Sequence, residues 1–82
     1  MPHVNIKHFP VELTAEREKR LAEEITAVVS ANLGVDRGSV SIALEPVDES
    51  DWNTVAVEPE IRGRGHLLIQ APDYLDNRQE NT

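Results

Sequence analysis

Apolar and polar residues alternate from the start of the chain. Val4 and Ile6 interleave with Asn5 and Lys7, a period of two that predicts a half-buried strand over residues 3–9, stopped by Pro10. From Thr14 the period changes. Leu21, Ile25, Val28, Val29 and Leu33 recur at three- and four-residue intervals, giving one apolar stripe on a helix over residues 14–33. Thr14 suits the N-cap, Glu16 and Glu18 fall where the helix dipole favours negative charge, and Glu16 and Arg20 form an i,i+4 pair in the favoured order. Gly34 suits the left-handed position that ends a helix, with Val35 as the accompanying contact. After the turn Val35-Asp36-Arg37-Gly38, alternation returns over residues 39–45, and Pro46 closes the segment as a second strand.

A strand, a helix and a strand joined by short connections make a right-handed crossover, so the predicted class is α+β: a β-α-β unit with parallel strands. Val40, Ile42 and Leu44 are expected to face the helix, with Ser39, Ser41 and Ala43 on the opposite face as small groups suited to another layer. Two parallel strands are not stable alone, so the sheet is expected to be completed by dimerisation. The second half is less regular. Residues 46–54 read as an acidic irregular stretch around Trp52, the single tryptophan. Pro59 fits the first turn of a further helical segment begun near Val57 or Glu58, with apolar contacts from Ile61, Leu67, Leu68 and Ile69. Gly63 and Gly65 would each cost that segment about 1 kcal/mol relative to alanine, which predicts a break, and Pro72-Asp73 ends it. Residues 1–74 read as a single domain in which Tyr74 docks, and residues 75–82 as a disordered polar tail.

Composition narrows the partners. At 82 residues the chain is near the size at which a domain leans on a partner for stability. It has no cysteine, hence no disulfide or thiolate chemistry. No long apolar run is present, so neither a membrane span nor a signal sequence is expected and the cytoplasm is the default compartment. The net charge of −7 argues against nucleic acid or an anionic membrane as partner. Only Arg37, Arg62, Arg64 and Arg78 supply cations beyond the first helix.

Against this background Pro2 stands out. Initiator methionine is normally trimmed before a small residue, and proline qualifies. The exposed nitrogen is then a basic secondary amine on a fixed ring rather than an amide, able to take or give a proton. An α-amino group titrates near pH ~8, and desolvation would bring it towards neutrality, where a general base works best.

Pro2 behind Met1, the strand PHVNIKHFP, a capped amphipathic helix, the segment SVSIAL and an aromatic residue about ten positions beyond it together resemble the 4-oxalocrotonate tautomerase family. The resemblance covers residues 2–54. The added length, with the ending Ala71-Pro72-Asp73-Tyr74, is similar to the longer dimeric bacterial members. It implies a tautomerase needing no cofactor and no metal. In such an enzyme the Pro2 amine removes a proton from an enol hydroxyl or from carbon beside a carbonyl and returns it at another carbon of the conjugated system. By the same resemblance Trp52 is the pocket aromatic.

Two arginines that hold a dicarboxylate in the short members are absent: their positions align near Glu12 or Leu13 and at Ser41. Leu13 and Ser41 thus become candidate substrate contacts, with His8, which shares a face with Pro2. The expected substrate is a small enol or keto acid, phenylpyruvate-like rather than a dicarboxylate. Arg62 or Arg64 is a candidate replacement cation. The expected assembly is a homodimer, with a hexamer as the alternative. His3 and His8 point to opposite faces and cannot share a metal. Asp48, Glu49 and Asp51 read either as a solvated loop or as water-activating carboxylates of a hydratase- or dehalogenase-like relative. A non-catalytic oligomeric binding module of the same fold also remains open.

Overall fold

The computed structural model describes residues 1–75 and divides into two compact units, residues 1–48 and residues 49 onward. In the first unit, strand β1 (His3–His8) is followed by helix α1 (Ala15–Leu33), a 3₁₀ turn (Arg37–Ser39) and strand β2 (Ser41–Pro46). The strands run parallel in the register His3 to Ser41 through His8 to Pro46. This is the expected β-α-β unit, an open two-stranded α+β arrangement. Backbone bonds extend the ladder at both ends, from Ser41 N–H to the Pro2 carbonyl (3.2 Å) and from Val47 N–H to the His8 carbonyl (2.7 Å).

Helix α1 is capped as the sequence implies. Thr14 accepts from Arg17 N–H at 3.0 Å, and Gly34 takes φ 68°. The N–H groups of Gly34 and Val35 both reach the Ser30 carbonyl, at 3.0 and 3.1 Å. The stripe is displaced from its expected position. Leu21, Ala22, Ile25, Thr26, Val29 and Ser30 are half-buried, whereas Val28 and Leu33 are 61% and 63% exposed. At about 100° per residue, Val28 lies roughly 110° from the centre of that arc, and Leu33 is the last residue of the helix. A groove of about 530 Å³ runs between α1 and β2, lined by Ala15, Leu21, Ala22, Ile42 and Leu44 with Glu18 and Lys19 at its rim.

The second strand begins two residues later than expected. Asp36 captures the preceding segment, accepting Gly38 N–H on its carboxylate (3.1 Å) and the Ser39 hydroxyl on its carbonyl (2.7 Å), so residues 37–39 wind into a turn. Ser39 is therefore absent from the face opposite the helix. That face is a polar network rather than bare small groups. His3 pairs with Ser41, Asn5 Nδ2 donates to Glu45 (3.0 Å), and Lys7 Nζ lies 3.4 Å from Glu45. The Asn5 hydrogen bond holds the Glu45 carboxyl below its ordinary pKa against the opposing effect of burial, with a lesser contribution from Lys7.

The second unit starts with a 3₁₀ turn (Glu49–Asp51) and continues into a ten-residue π-helix (Asn53–Arg62) that buries Ala56 and Val57. The helical segment thus begins at Trp52 and Asn53, not at Val57 or Glu58, and Pro59 lies well inside it. An α-helix would set the proline ring against the carbonyl four residues back; the wider winding accommodates it. Gly63 ends the segment, donating to the Glu58 carbonyl at 2.8 Å. A 3₁₀ turn (Gly65–Leu67) follows. Leu67, Leu68 and Ile69, expected as apolar contacts, are 55%, 38% and 103% exposed. Residues 73–75 are helical again, and Leu75, expected to open the tail, is buried. The remainder of that expected tail lies outside the described residues. Among the described residues no helix is long and apolar enough to cross a membrane.

Candidate active site

Pro2 directly precedes β1, is half-buried, and has its carbonyl tied to Ser41 N–H. Met1 ahead of it is 99% exposed. While Met1 is attached, the Pro2 nitrogen is an amide. Its removal leaves a secondary amine held in a rigid ring, on a residue whose carbonyl is already anchored.

Ser41, which stands where the resemblance places an arginine, opens β2 beside Pro2. Its Oγ lies 2.6 Å from His3 Nδ1, and both side chains are exposed. Sequence reasoning weighed His3 only as a metal ligand. The signal for its pairing is the strand register, which alternation alone leaves undetermined by steps of two.

His8 shares the face of Val4 and Ile6 but occupies the opposite end of β1. Six residues at about 3.3 Å each separate it from Pro2 by roughly 20 Å. Its Nδ1 donates to the Phe9 carbonyl (2.7 Å), which fixes the tautomer, and its Nε2 is buried with no hydrogen-bond partner. Leu13 is half-buried in the connection that leaves that same end of β1. One copy of the unit therefore brings Pro2 and Ser41 together and keeps His8 and Leu13 apart from them.

In the second unit, Trp52 is half-buried at the head of the π-helix and donates from Nε1 to Tyr74 Oη at 3.3 Å. π-Helical turns are rare and concentrate at functional sites. Arg62 and Arg64, the candidate replacement cations, form ion pairs with Glu58 (3.4 Å) and Glu60 (3.8 Å) one turn back. Asp48, Glu49 and Asp51 are all exposed. Among the described residues no group of three or more histidines and carboxylates is placed to hold a metal ion.

A family model described as tautomerase enzyme matches residues 2–59, well over half of the chain, including Pro2, both strands, α1 and Trp52. This chain belongs to the tautomerase family. Curated relatives agree. The chain is 42% identical to Tautomerase PptA of Klebsiella pneumoniae over 74 residues, which is 90% of this chain and 97% of the relative. It is 36% identical to Tautomerase PptA of Escherichia coli over 77 residues, or 94% and 99% of the two chains. Against Tautomerase PptA of Pectobacterium atrosepticum it is 32% identical, again over 90% and 97%. Because these matches span nearly the full relatives, the segment beyond Trp52 is common to this tautomerase and to them. The protein is thus an enzyme of the tautomerase type, an isomerase that relocates a proton within its substrate.

Proposed function

We propose that this tautomerase acts on small enol or keto acids with the Pro2 amine as its general base once Met1 has been removed. The carrying observation is the placement of Pro2 behind a fully exposed Met1 and at the first backbone bond between the strands. The neutral nitrogen accepts a proton from an enol hydroxyl or an α-carbon, leaving an enolate delocalised over the conjugated system. The resulting ammonium returns the proton to a different carbon. The proton leaves and returns on one face, so one base is enough and no cofactor is required.

Phenylpyruvate-like enols are the preferred class. Ser41 offers a neutral hydroxyl in place of a cation, and Arg62 and Arg64 are engaged by Glu58 and Glu60. A second carboxylate would enter a protein of net charge −7 whose two candidate replacement cations are already paired with glutamates. Two copies complete the site in a homodimer. The roughly 20 Å along β1 between the Pro2 and His8 ends means that Leu13 or His8 reaches a bound substrate only from a second chain packed in the opposite direction.

The test compares protein with and without Met1, assigned by intact mass, for ketonisation of phenylpyruvate enol. General-base catalysis contributes typically ~10²- to 10⁴-fold, and retention of Met1 should remove it. The kcat/KM profile should rise with pH through a group below the ~8 of an ordinary α-amino group. A Met1-retaining protein with full activity would exclude the mechanism. Faster turnover of an unsaturated dicarboxylate would overturn the substrate assignment.

A further inference from the structure

We infer that the amino terminus left by removal of Met1 is a Cu(II) site, formed by the Pro2 nitrogen, the His3 backbone nitrogen and His3 Nδ1. Copper held there silences the enzyme by occupying its base. This rests on the removal of Met1 and on Pro2 as the base, both proposed above.

The three nitrogens belong to two adjacent residues. Joined through one metal ion, they close a five-membered ring across the Pro2–His3 peptide and a six-membered ring through the His3 side chain. Cu(II) favours a flat, nitrogen-rich set of this kind and stands at the top of the divalent series in affinity for it. As the bond to the His3 backbone nitrogen forms, the amide proton leaves to solvent; the amine binds through its lone pair and the imidazole in its neutral form. That amine lone pair is the one that would accept the substrate's proton. With Met1 attached the set cannot form. The Pro2 nitrogen is then an amide with no proton to lose, standing between the Met1 amine and His3.

Three features of the structure favour the site. His3 is exposed and its Nδ1 is engaged by an exposed hydroxyl, Ser41 Oγ at 2.6 Å, which a metal displaces without uncovering a buried group. The Pro2 carbonyl points at β2, where it accepts from Ser41 N–H at 3.2 Å. In the trans peptide that follows, the His3 N–H therefore points the other way, to the outer side of β1, which has no strand beside it in the two-stranded sheet. A metal ion can replace that proton without breaking the ladder. Lastly, loss of the proton spreads negative charge onto the same Pro2 carbonyl oxygen. Ser41 N–H already donates to it, and a hydrogen bond to a charged acceptor is stronger than one to a neutral acceptor. Freed of Met1, the Pro2 ring needs only to turn about its Cα–C bond to bring its nitrogen into the peptide plane, while its carbonyl stays where β2 holds it.

The experiment titrates Cu(II) into the full chain with Met1 removed or retained, as assigned by intact mass. Calorimetry follows binding, electron paramagnetic resonance the ligand set, and ketonisation of phenylpyruvate enol the activity. Protein without Met1 should bind one Cu(II) per chain, show splitting from three in-plane nitrogens, and lose activity in step with occupancy. EDTA should restore it. Protein with Met1 keeps all three histidines yet should bind at least about 100-fold more weakly, since losing even an outer-shell partner costs ~10- to 100-fold. His3→Ala, verified as folded by thermal melting, should weaken binding as much. Zn(II), which prefers a tetrahedral set, should leave turnover intact at a copper-equivalent concentration. Equal affinity with and without Met1, or a spectrum lacking the amine and amide nitrogens, would overturn the inference. The base assignment is read separately, from the activities of the two forms in EDTA. Copper bound through these three nitrogens in a fully active protein would overturn the blockade, and Pro2 as the base with it.

Discussion

Gly34 and Gly63 are required for opposite reasons. Gly34 holds φ 68°, the only positive φ among the described residues, with open space where a Cβ would stand. Gly34→Ala should therefore cost about 1–2 kcal/mol through backbone strain alone, read as a shift in urea midpoint with an unchanged slope. Gly63 has ordinary helical angles. Its Cβ would lie 2.8 Å from the Pro59 carbonyl oxygen and 2.9 Å from that of Glu58, closer than real contacts allow. Gly63→Ala should cost about 1–3 kcal/mol by forcing those carbonyls apart, with the melting of the second unit affected first. The first glycine was legible in the sequence because a left-handed cap has a known residue preference. The second was legible only as a helix breaker, because its role depends on where a π-wound backbone brings a carbonyl. Ser41 and His3 divide in the same way. Ser41 was picked out by the resemblance, whereas its bond to His3, 38 positions away, needed the register.

At the level of elements, periodicity identified both strands and α1, and the short connections correctly implied parallel pairing. It misjudged the start of β2, where an aspartate bonding its own turn outcompeted the ladder. The π-helix was not legible. Its i→i+5 winding matches neither the helical nor the strand period, and Pro59 marked a helix start that the structure does not use. The strand pair also makes a pH prediction. Asn5, and after it Lys7, stabilise the ionised form of Glu45 and depress its pKa. A depressed carboxyl contributes stability above its unfolded value of about 4.3, and that contribution is lost as pH falls through the folded value. Asn5→Ala should move the Glu45 titration, followed by its side-chain carboxyl NMR signal, up towards ordinary glutamate. The variant should also lose less of its Tm than wild type between about pH 6 and about pH 3. A Glu45 titration that is the same in both proteins would show that Asn5 is not the main cause.

For the whole molecule, the thinness of the interior is the dominant fact. In the first unit only Val47 is buried, and no residue of α1 is. Val11, Val28 and Leu33 are each more than 60% exposed, alongside a two-stranded sheet. Sequence reasoning inferred a second copy from the instability of two parallel strands, but it could not say which apolar residues would be left exposed. Homodimerisation should be seen by sedimentation at micromolar protein. Val11→Asp, near the His8 end of β1, should weaken it at least ~10-fold, since burying a valine is worth about 1.5–3 kcal/mol. A sedimentation profile of monomer alone for the wild type would exclude the assembly.

The exposed Met1 ahead of an anchored Pro2 has a practical consequence for anyone preparing the enzyme. An affinity tag fused at the amino terminus would be displayed to solvent and should leave the fold intact. On the mechanism proposed above it would also keep the Pro2 nitrogen permanently acylated, yielding a folded protein that lacks its base. A tag at the carboxyl terminus leaves that nitrogen to the cell's own methionine processing. Activity assayed on the two fusions side by side should differ by the full contribution of the base.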